Sequence, residues 1–444
     1  MKLLSIREIY FLFASLLAFI AINAVTPPFM SPDEPHHYSR AYLLTNGVIT
    51  LNNKDGMKSG GYIDKSLNDS LISFNNGHIG KVSSDMFEYV DGIKWNSERT
   101  YKEIPNTAFY FPAVYIPQAV GIGIGRVMSL SILDTYYLSR VLSFISCILI
   151  IIYANRVFPI PSIAAFVMVM PMMLFQISST TIDGITTSLS ILMMCLFSHC
   201  VLRREISMRS LISISAISFV LVSSRANLIP ILLLPFFAAY FSKLKYRMVI
   251  PSISVLMSFA WIGFTISITK DGGVNHPGIS QGQVISHYIM NPLEIIRISI
   301  NTIFDHGRFS FYYKSFVGKL GWLDIWMPNY LYTLSIITLI TLALLGFSKK
   351  SLLANQACTI SITLASFGSV ALIFCALLVQ YSKFPTDVII GIQGRYFIIP
   401  MIIFSFIFLS DARKKNTASY CIVAVFSLIS LNAMILEIIN RYYM

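Results

Sequence analysis

Charge is scarce in this chain. Lys, Arg, Asp and Glu make up 12% of its 444 residues, against 55% hydrophobic residues and a mean hydropathy of +0.68. Soluble domains carry roughly 25% charged residues, so a water-soluble fold is excluded and an integral membrane protein is indicated. Cysteine is also rare. Cys147, Cys195, Cys200, Cys358, Cys375 and Cys421 all fall inside apolar runs, without a CxxC pair, which argues for small buried hydrophobes rather than disulfides or a thiolate metal site. No repeat of solenoid length and no low-complexity tract is present. Period-two alternation is missing too, so the spans are helices and not barrel strands. Acidic residues number 21 against 33 basic ones, a formal charge of +12. The basic excess gathers in short loops of one side, as in a membrane protein and not a nucleic-acid binder.

What the chain has in abundance is apolar runs. They lie near residues 9–26, 137–155, 161–179, 184–202, 210–224, 226–242, 248–269, 330–347, 355–380, 396–411 and 417–437, and about 20 residues at 1.5 Å each cross the hydrocarbon. The pattern predicts an all-α polytopic membrane protein of about eleven helices, with the pair around Arg225 the shortest. The first run follows Lys2 and Arg7 and has no small-x-small site before Pro27, so it reads as an uncleaved helix. With the N-terminus inside, Lys2, Arg7, Arg156, Arg203, Arg204, Arg209, Lys243, Lys245, Arg247, Lys349, Lys350, Arg413, Lys414 and Lys415 all fall on the cytoplasmic face.

The stretch "FYFPAVYIPQAVGIGIG", residues 109–125, would invert every later basic loop if it crossed. It is therefore expected as a broken amphipathic segment in the interface. The chain divides into a first helix (1–26), an external loop (27–136), helices two to seven (137–269), a second external loop (270–329) and helices eight to eleven (330–444). "LNNKDGMKSGGY" in the first loop reads as a polar, turn-rich linker. In the second, Leu293, Ile296, Ile300 and Ile303 recur at helical spacing ahead of the aromatic, basic "DHGRFSFYYKSFVGKLGWLDIWMP".

On this topology an ionisable ring appears on the outer face: Asp33, Glu34, His36, His37 and Arg40 after helix one, then Arg140, Asp183, Arg225, Asp324, Gln393 and Arg395. Ionised groups beside hydrocarbon are costly and mark sites or wet cavities. "SPDEP" is open to two readings. Ser31 to Glu34 fits a capping box, while Pro35 disfavours helix at Glu34 and would hold the acids extended, their side chains diverging so that only one faces a shared ligand. A helix from Pro35 to Asn46-Gly47 would set His36 and Arg40 on one side, lining a cavity. His36 and His37 are open between interfacial hydrogen bonding and a share, with Asp33 and Glu34, in a divalent cation site for magnesium or manganese. Asp183 is a helix cap or a functional acid. Arg140 and Arg395 each open a span from the outside, where a lipid phosphate or a ligand phosphate would suit them. Trp322, with Asp324 in "GWLDIWMP", is a membrane-belt anchor or a substrate contact. Phe309, Phe311, Tyr312, Tyr313 and Trp322 form a sugar-stacking acceptor platform or a loop resting on the membrane.

"PDEPHHYSRAY", "YFPAVYIPQAVGIGIGR", "MPMMLFQISSTTIDGITTSLS", "KLGWLDIWMP" and "GIQGRYFIIP" resemble, in order, the signature segments of a largely uncharacterised family of bacterial polytopic membrane proteins catalogued as a domain of unknown function. That family is similar in layout to the GT-C glycosyltransferase superfamily. The resemblance implies a GT-C-like bundle with two large external loops and catalytic acids at Asp33, Glu34 and Asp183. It further implies a polyprenyl-phosphate sugar as donor and transfer of the sugar outside the cytoplasm. Arg395, Arg140, Gln393 and Arg225 would then bind the donor phosphate, and His36, His37, Arg40, Trp322 and Asp324 the substrates. "SRANLIP" departs from the family pattern by displacing Arg225. The expected partners are the lipid-linked sugar, a surface-glycan acceptor such as O-antigen, and membrane lipids, with no nucleic acid. The expected location is the bacterial inner membrane with the site facing the periplasm. A transporter or flippase, a repeat-unit polymerase and an assembly scaffold are the alternatives.

Overall fold

The first apolar run becomes α1 (Ile6–Val25), started by a capping box in which Ser5 and Glu8 exchange hydrogen bonds. In chain order there follow α2 (Glu34–Thr45), β1 (Asn52–Asn53), β2 (Ser59–Asp64), α3 (Lys65–Asn75), α4 (Ser84–Asp91), β3 (Arg99–Glu103), α5 (Ile116–Val127) and α6 (Ile132–Val157). Next come α7 (Ser162–Met168), α8 (Pro171–Ile177), α9 (Asp183–Arg203), α10 (Met208–Ser224), α11 (Leu233–Tyr240), α12 (Val249–Ile268), α13 (Gln281–Met290), α14 (Pro292–Phe304) and α15 (His306–Gly318). The chain finishes with β4 (Lys319–Leu320), β5 (Ile325–Trp326), α16 (Asn329–Gly346), α17 (Gln356–Gln380), α18 (Ile398–Ser405) and α19 (Thr417–Tyr442). This computed structural model describes residues 5–54, 56–75, 80–203, 206–241, 245–270, 279–349, 356–409 and 417–444. Lys2, Arg204, Lys243, Lys350, Arg413, Lys414 and Lys415 of the expected basic loops lie outside the described residues.

The protein is a mostly helical polytopic membrane protein. Among the described residues seven helices, α1, α6, α9, α12, α16, α17 and α19, are long and apolar enough to cross a membrane. The other expected spans are shorter or broken. Run 161–179 splits into α7 and α8 because Met170 is extended before Pro171, which cannot continue a helix from the preceding turn. Run 226–242 begins as a 3-10 helix, Ala226–Leu232, around Pro230, and run 396–411 begins as a 3-10 turn, Gly394–Phe397, with its α-helix ending at Ser405.

Hydroxyl side chains let the central helix carry polar residues. Thr186, Ser188 and Ser190 of α9 are buried, and each donates to the carbonyl four residues back. In loop 27–136 the linker expected at "LNNKDGMKSGGY" instead forms a hairpin, and β1, β2 and β3 make an antiparallel sheet with Tyr62 opposite Tyr101. Segment 109–125 ends as the 12-residue α5, about 18 Å long, against the ~30 Å hydrocarbon thickness. It packs on α6 through Gly121 and Gly125, where a Cβ would sit 2.6 Å from the Ser139 Cα and 2.5 Å from the Thr135 Oγ1.

Loop 27–136 sits across one end of the bundle. Gln118 donates to the Thr180 and Thr181 carbonyls beside α9, the Phe111 amide to Ser223 at the end of α10, the Ser59 amide to Lys270 after α12, and the Val82 amide to Tyr442 at the end of α19. The opposite ends meet each other in turn. Arg156 at the end of α6 pairs with Glu8 at the start of α1 at 2.5 Å, and the Tyr420 hydroxyl donates to the Ile160 carbonyl. These contacts gather the start of α1, the end of α6, the start of α7 and the start of α19 at one end of the bundle.

Candidate functional site

Loop 27–136 is pinned to α6 by aromatic packing. Phe29 lies 4.2 Å, centroid to centroid, from Tyr136, whose hydroxyl accepts from the Phe29 amide, and Tyr38 meets Tyr136 edge-on. This anchors "SPDEP" above the bundle. Asp33 has left-handed backbone, φ 61°, at the N-cap of α2, where its carbonyl accepts from the His36 and His37 amides. An N-cap carboxylate ordinarily bonds the first-turn amides. Here the left-handed turn swings it off the helix, and it makes no cap bond. The acids are thus not extended as expected, because the helix starts at Glu34 and Pro35 occupies its first turn. Their side chains nonetheless diverge.

Asp33 Oδ2 meets Arg395 Nη2 at 2.5 Å. Arg395 Nη1 lies 3.5 Å from the Pro32 carbonyl and 3.9 Å from Asp183 Oδ2, and the other Asp183 oxygen accepts from Arg225. Four residues from four chain segments thus alternate in sign: Asp33, Arg395, Asp183, Arg225. Asp183 is the first residue of α9 and favours the positive end of its dipole. Arg225 caps α10, and Arg395 opens the 3-10 turn before α18. The Asp33 side chain is 36% exposed, against 16%, 16% and 8% for Asp183, Arg225 and Arg395. Asp33 is therefore the open end of the chain of charges. Behind it, Met173, Thr187, Asn227 and Tyr396 join Asp183, Arg225 and Arg395 around a cavity of about 10 Å³, roughly one water molecule. The Nε atoms of Arg225 and Arg395 are buried with no hydrogen-bond partner among the described residues.

Burial pushes the Asp33 carboxyl up, but Arg395 and the neighbouring His37 outweigh it and hold the group below the usual carboxylate range. Burial takes His37 down to about 3 and His36 below its ordinary value, against the opposing pull of Asp33. Both rings are neutral near pH 7. The His37 Nδ1 is 2.8 Å from the Tyr115 hydroxyl and its ring stacks beside Tyr110, so it is a packed wall residue and not a free ligand contact. Tyr110 and Tyr396, flanking the charges, were not singled out from sequence. Only the adjacency of Tyr396 to Arg395 could have suggested it.

Glu34 and Arg140 belong to a different structure. Glu34 is fully buried and accepts from Arg140 Nε and Nη2 at 3.1 and 2.8 Å, from the Thr180 amide and hydroxyl at 2.8 and 3.1 Å, and from the Ser31 amide at 3.2 Å. Arg140 Nη1 reaches Asn23 at 2.8 Å. The pair ties α1, α2, α6 and the turn before α9 together, which places Glu34 away from the open site and leaves Arg140 committed rather than facing a phosphate. Arg40 does not line a cavity with His36, since it is buried and donates to the Val48 and Ile49 carbonyls. Asp324 pairs with Arg441 at 2.7 Å, while Trp322 packs half-buried against the core, neither within the four-charge network. Gln393 lines a separate cavity. Among the described residues no three His, Cys, Asp or Glu side chains gather as a metal-holding set.

Residues 16–404 match the family described as "Predicted membrane protein (DUF2142)". The chain belongs to the DUF2142 family. No curated protein and no solved structure matches it. In this DUF2142 protein the matched region contains all four members of the alternating network.

Proposed function

We propose that this protein is an integral-membrane glycosyltransferase that moves a sugar from a polyprenyl-phosphate donor to a surface-glycan acceptor on the external face of the bacterial inner membrane. The observation that carries the reading is the meeting of Asp33 with Arg395, from opposite ends of the sequence, at the open end of a network otherwise buried. A lipid phosphate leaves as a stabilised anion, so the chemistry calls for a cation at the leaving oxygen and a base at the acceptor hydroxyl. Arg395 supplies the first and Asp33 the second. A phosphate that takes the Arg395 guanidinium releases Asp33 from its ion pair, and the freed carboxylate then becomes the stronger base. The acceptor oxygen attacks the anomeric carbon, its proton passes to Asp33, and the bond to the phosphate oxygen breaks with its electron pair. One displacement without a covalent enzyme intermediate inverts the anomeric centre. Asp183, itself paired with Arg225, holds Arg395 in place from behind.

The test is transfer of radiolabelled sugar from the lipid donor by protein in nanodiscs. Asp33→Asn is expected to lower turnover by ~10²- to 10⁴-fold, the usual contribution of a general base, in a variant that still folds with a lowered thermal midpoint, since Arg395 keeps Asp183 as a partner. Full activity in that variant removes the base. A lipid-linked sugar flippase is the second reading, favoured by the irregular helix starts at Pro171, Arg225 and Gly394 around the charges. Movement of donor across the bilayer with no change in acceptor mass would select it.

A further inference from the structure

A second cavity, of about 290 Å³, is separate from the network and is not used by the proposed reaction. Arg308, Phe311 and Tyr312 of α15, Leu323 of the β4–β5 turn, and Gly391 and Gln393 of the irregular segment leading to Arg395 line it. The volume is close to the lower end of the ~300–1,000 Å³ typical of small-molecule sites. That segment is fixed in place. The Gly394 amide donates to the Ser315 hydroxyl at 2.8 Å, and a Cβ at Gly394 would fall 2.0 Å from the Phe316 nitrogen. Leu323 keeps a left-handed backbone, φ 64°, a conformation that a non-glycine residue retains where the surroundings hold it.

We propose that this cavity is a subsite for a neutral sugar ring, deepening the glycosyltransferase reading on which it rests. Its one charged lining side chain, Arg308, is already paired. Arg308 is engaged, Nε with Asp305 at 3.2 Å and Nη1 with the Ile389 carbonyl at 3.4 Å, and Lys319 nearby is held over the rings of Phe311 and Trp326. What remains without a partner is neutral. The Tyr312 hydroxyl lies beside the Arg308 guanidinium, and the Gln393 Oε1 is buried and makes no hydrogen bond among the described residues. A buried polar atom left without a partner is costly, so a ligand hydroxyl that reaches the Gln393 oxygen supplies a hydrogen bond that the protein does not make there. A hydroxyl both donates and accepts, which matches a tyrosine hydroxyl beside an amide oxygen. Phe311 and Tyr312 add ring surface for the apolar face of a sugar. Gln393, two residues before Arg395, ties the bound ring to the segment that carries the proposed phosphate ligand.

The experiment is saturation-transfer NMR on the full chain in nanodiscs with the methyl glycosides of glucose, galactose, mannose, rhamnose and N-acetylglucosamine, and with inorganic phosphate as competitor. At least one glycoside is expected to bind, phosphate is expected not to displace it, and Gln393→Leu should weaken it by about tenfold or more. Tyr312→Phe removes the hydroxyl beside Arg308 and keeps the ring. It should weaken the glycoside roughly threefold to tenfold while leaving the thermal midpoint near that of the parent, a combination that a packing role does not produce. Failure of all five glycosides to bind overturns the proposal, as does binding unaffected by both variants or displaced by phosphate. Asp33→Asn should retain glycoside binding, so the two readings fail separately. Binding without transfer removes the enzyme and leaves the sugar site. Transfer without cavity-dependent binding does the reverse.

Discussion

Asp33 and Glu34 are adjacent carboxylates with opposite surroundings, and the contrast yields two predictions. Glu34 accepts five hydrogen bonds in a buried pair with Arg140. Glu34→Gln strands the Arg140 charge, which in buried pairs costs about 3–5 kcal/mol. A marked fall in the thermal midpoint in detergent is expected, with much of it recovered in the double variant Glu34→Leu/Arg140→Met, which removes both charges. A loss of turnover from Glu34→Gln without any loss of stability would contradict the structural role. The second prediction concerns pH. His37 titrates at about 3 when folded, from an ordinary value of 6.5, so below pH 6.5 the unfolded chain binds a proton that the folded one refuses. Stability then drops as the medium is acidified, at up to ~1.4 kcal/mol per pH unit from this ring, and His36, lowered for the same reason, adds to it. Asp33 acts later. Its folded value is depressed, so its contribution is present above its ordinary 3.8 and disappears only as pH falls through that lower value. Thermal midpoints between pH 7 and 5 should decline in the parent and decline less in His37→Gln.

At the level of elements, small residues decide how a helix too short to span is held. α5 presents Gly121 and Gly125 to α6, while Ile116, Val120, Ile124 and Val127 face outward, a lipid-facing edge for an interfacial helix. Gly121→Ala meets the α6 backbone and should lower the thermal midpoint clearly. Gly123→Ala, with open space at its Cβ, should be neutral or stabilising by up to about 1 kcal/mol. Equal effects from the two would mean that the glycines matter for chain flexibility instead of contact. The stripe Leu293, Ile296, Ile300 and Ile303 is helical as its spacing requires, but all four side chains are exposed and Ile298 and Thr302 face inward. Period told that a helix forms. It could not tell which side meets protein, because in a membrane protein both the core and the lipid are apolar.

For the molecule as a whole, the apolar runs were enough to predict a multi-pass helical membrane protein, and contacts gather loop 27–136 at one end of the described helices and Glu8, Arg156, Ile160 and Tyr420 at the other. Single cysteines at Asn53, in loop 27–136, and at Lys349, after α16, should react with an impermeant maleimide from opposite sides of intact membranes. Asn53 is expected to react from outside. Reaction of both from one side would refute the arrangement. The charged ring was legible residue by residue, since carboxylates and guanidiniums are conspicuous in so apolar a chain. Its division into an open site, a buried brace and peripheral pairs was not legible. Arg140 and Arg395 look alike in sequence, each opening an apolar run, yet one is clamped by Glu34 and the other meets Asp33.

Hydropathy and charge placement determined by themselves that the chain is a helical, multi-pass membrane protein and that its ionisable residues cluster at helix ends, because transfer free energy depends on composition along a segment. Pairing was decided only by the tertiary structure. Which acid meets which arginine depends on a single left-handed residue at position 33 and on the breaks at Pro171 and Pro230, and these redirect side chains over distances that no local pattern encodes.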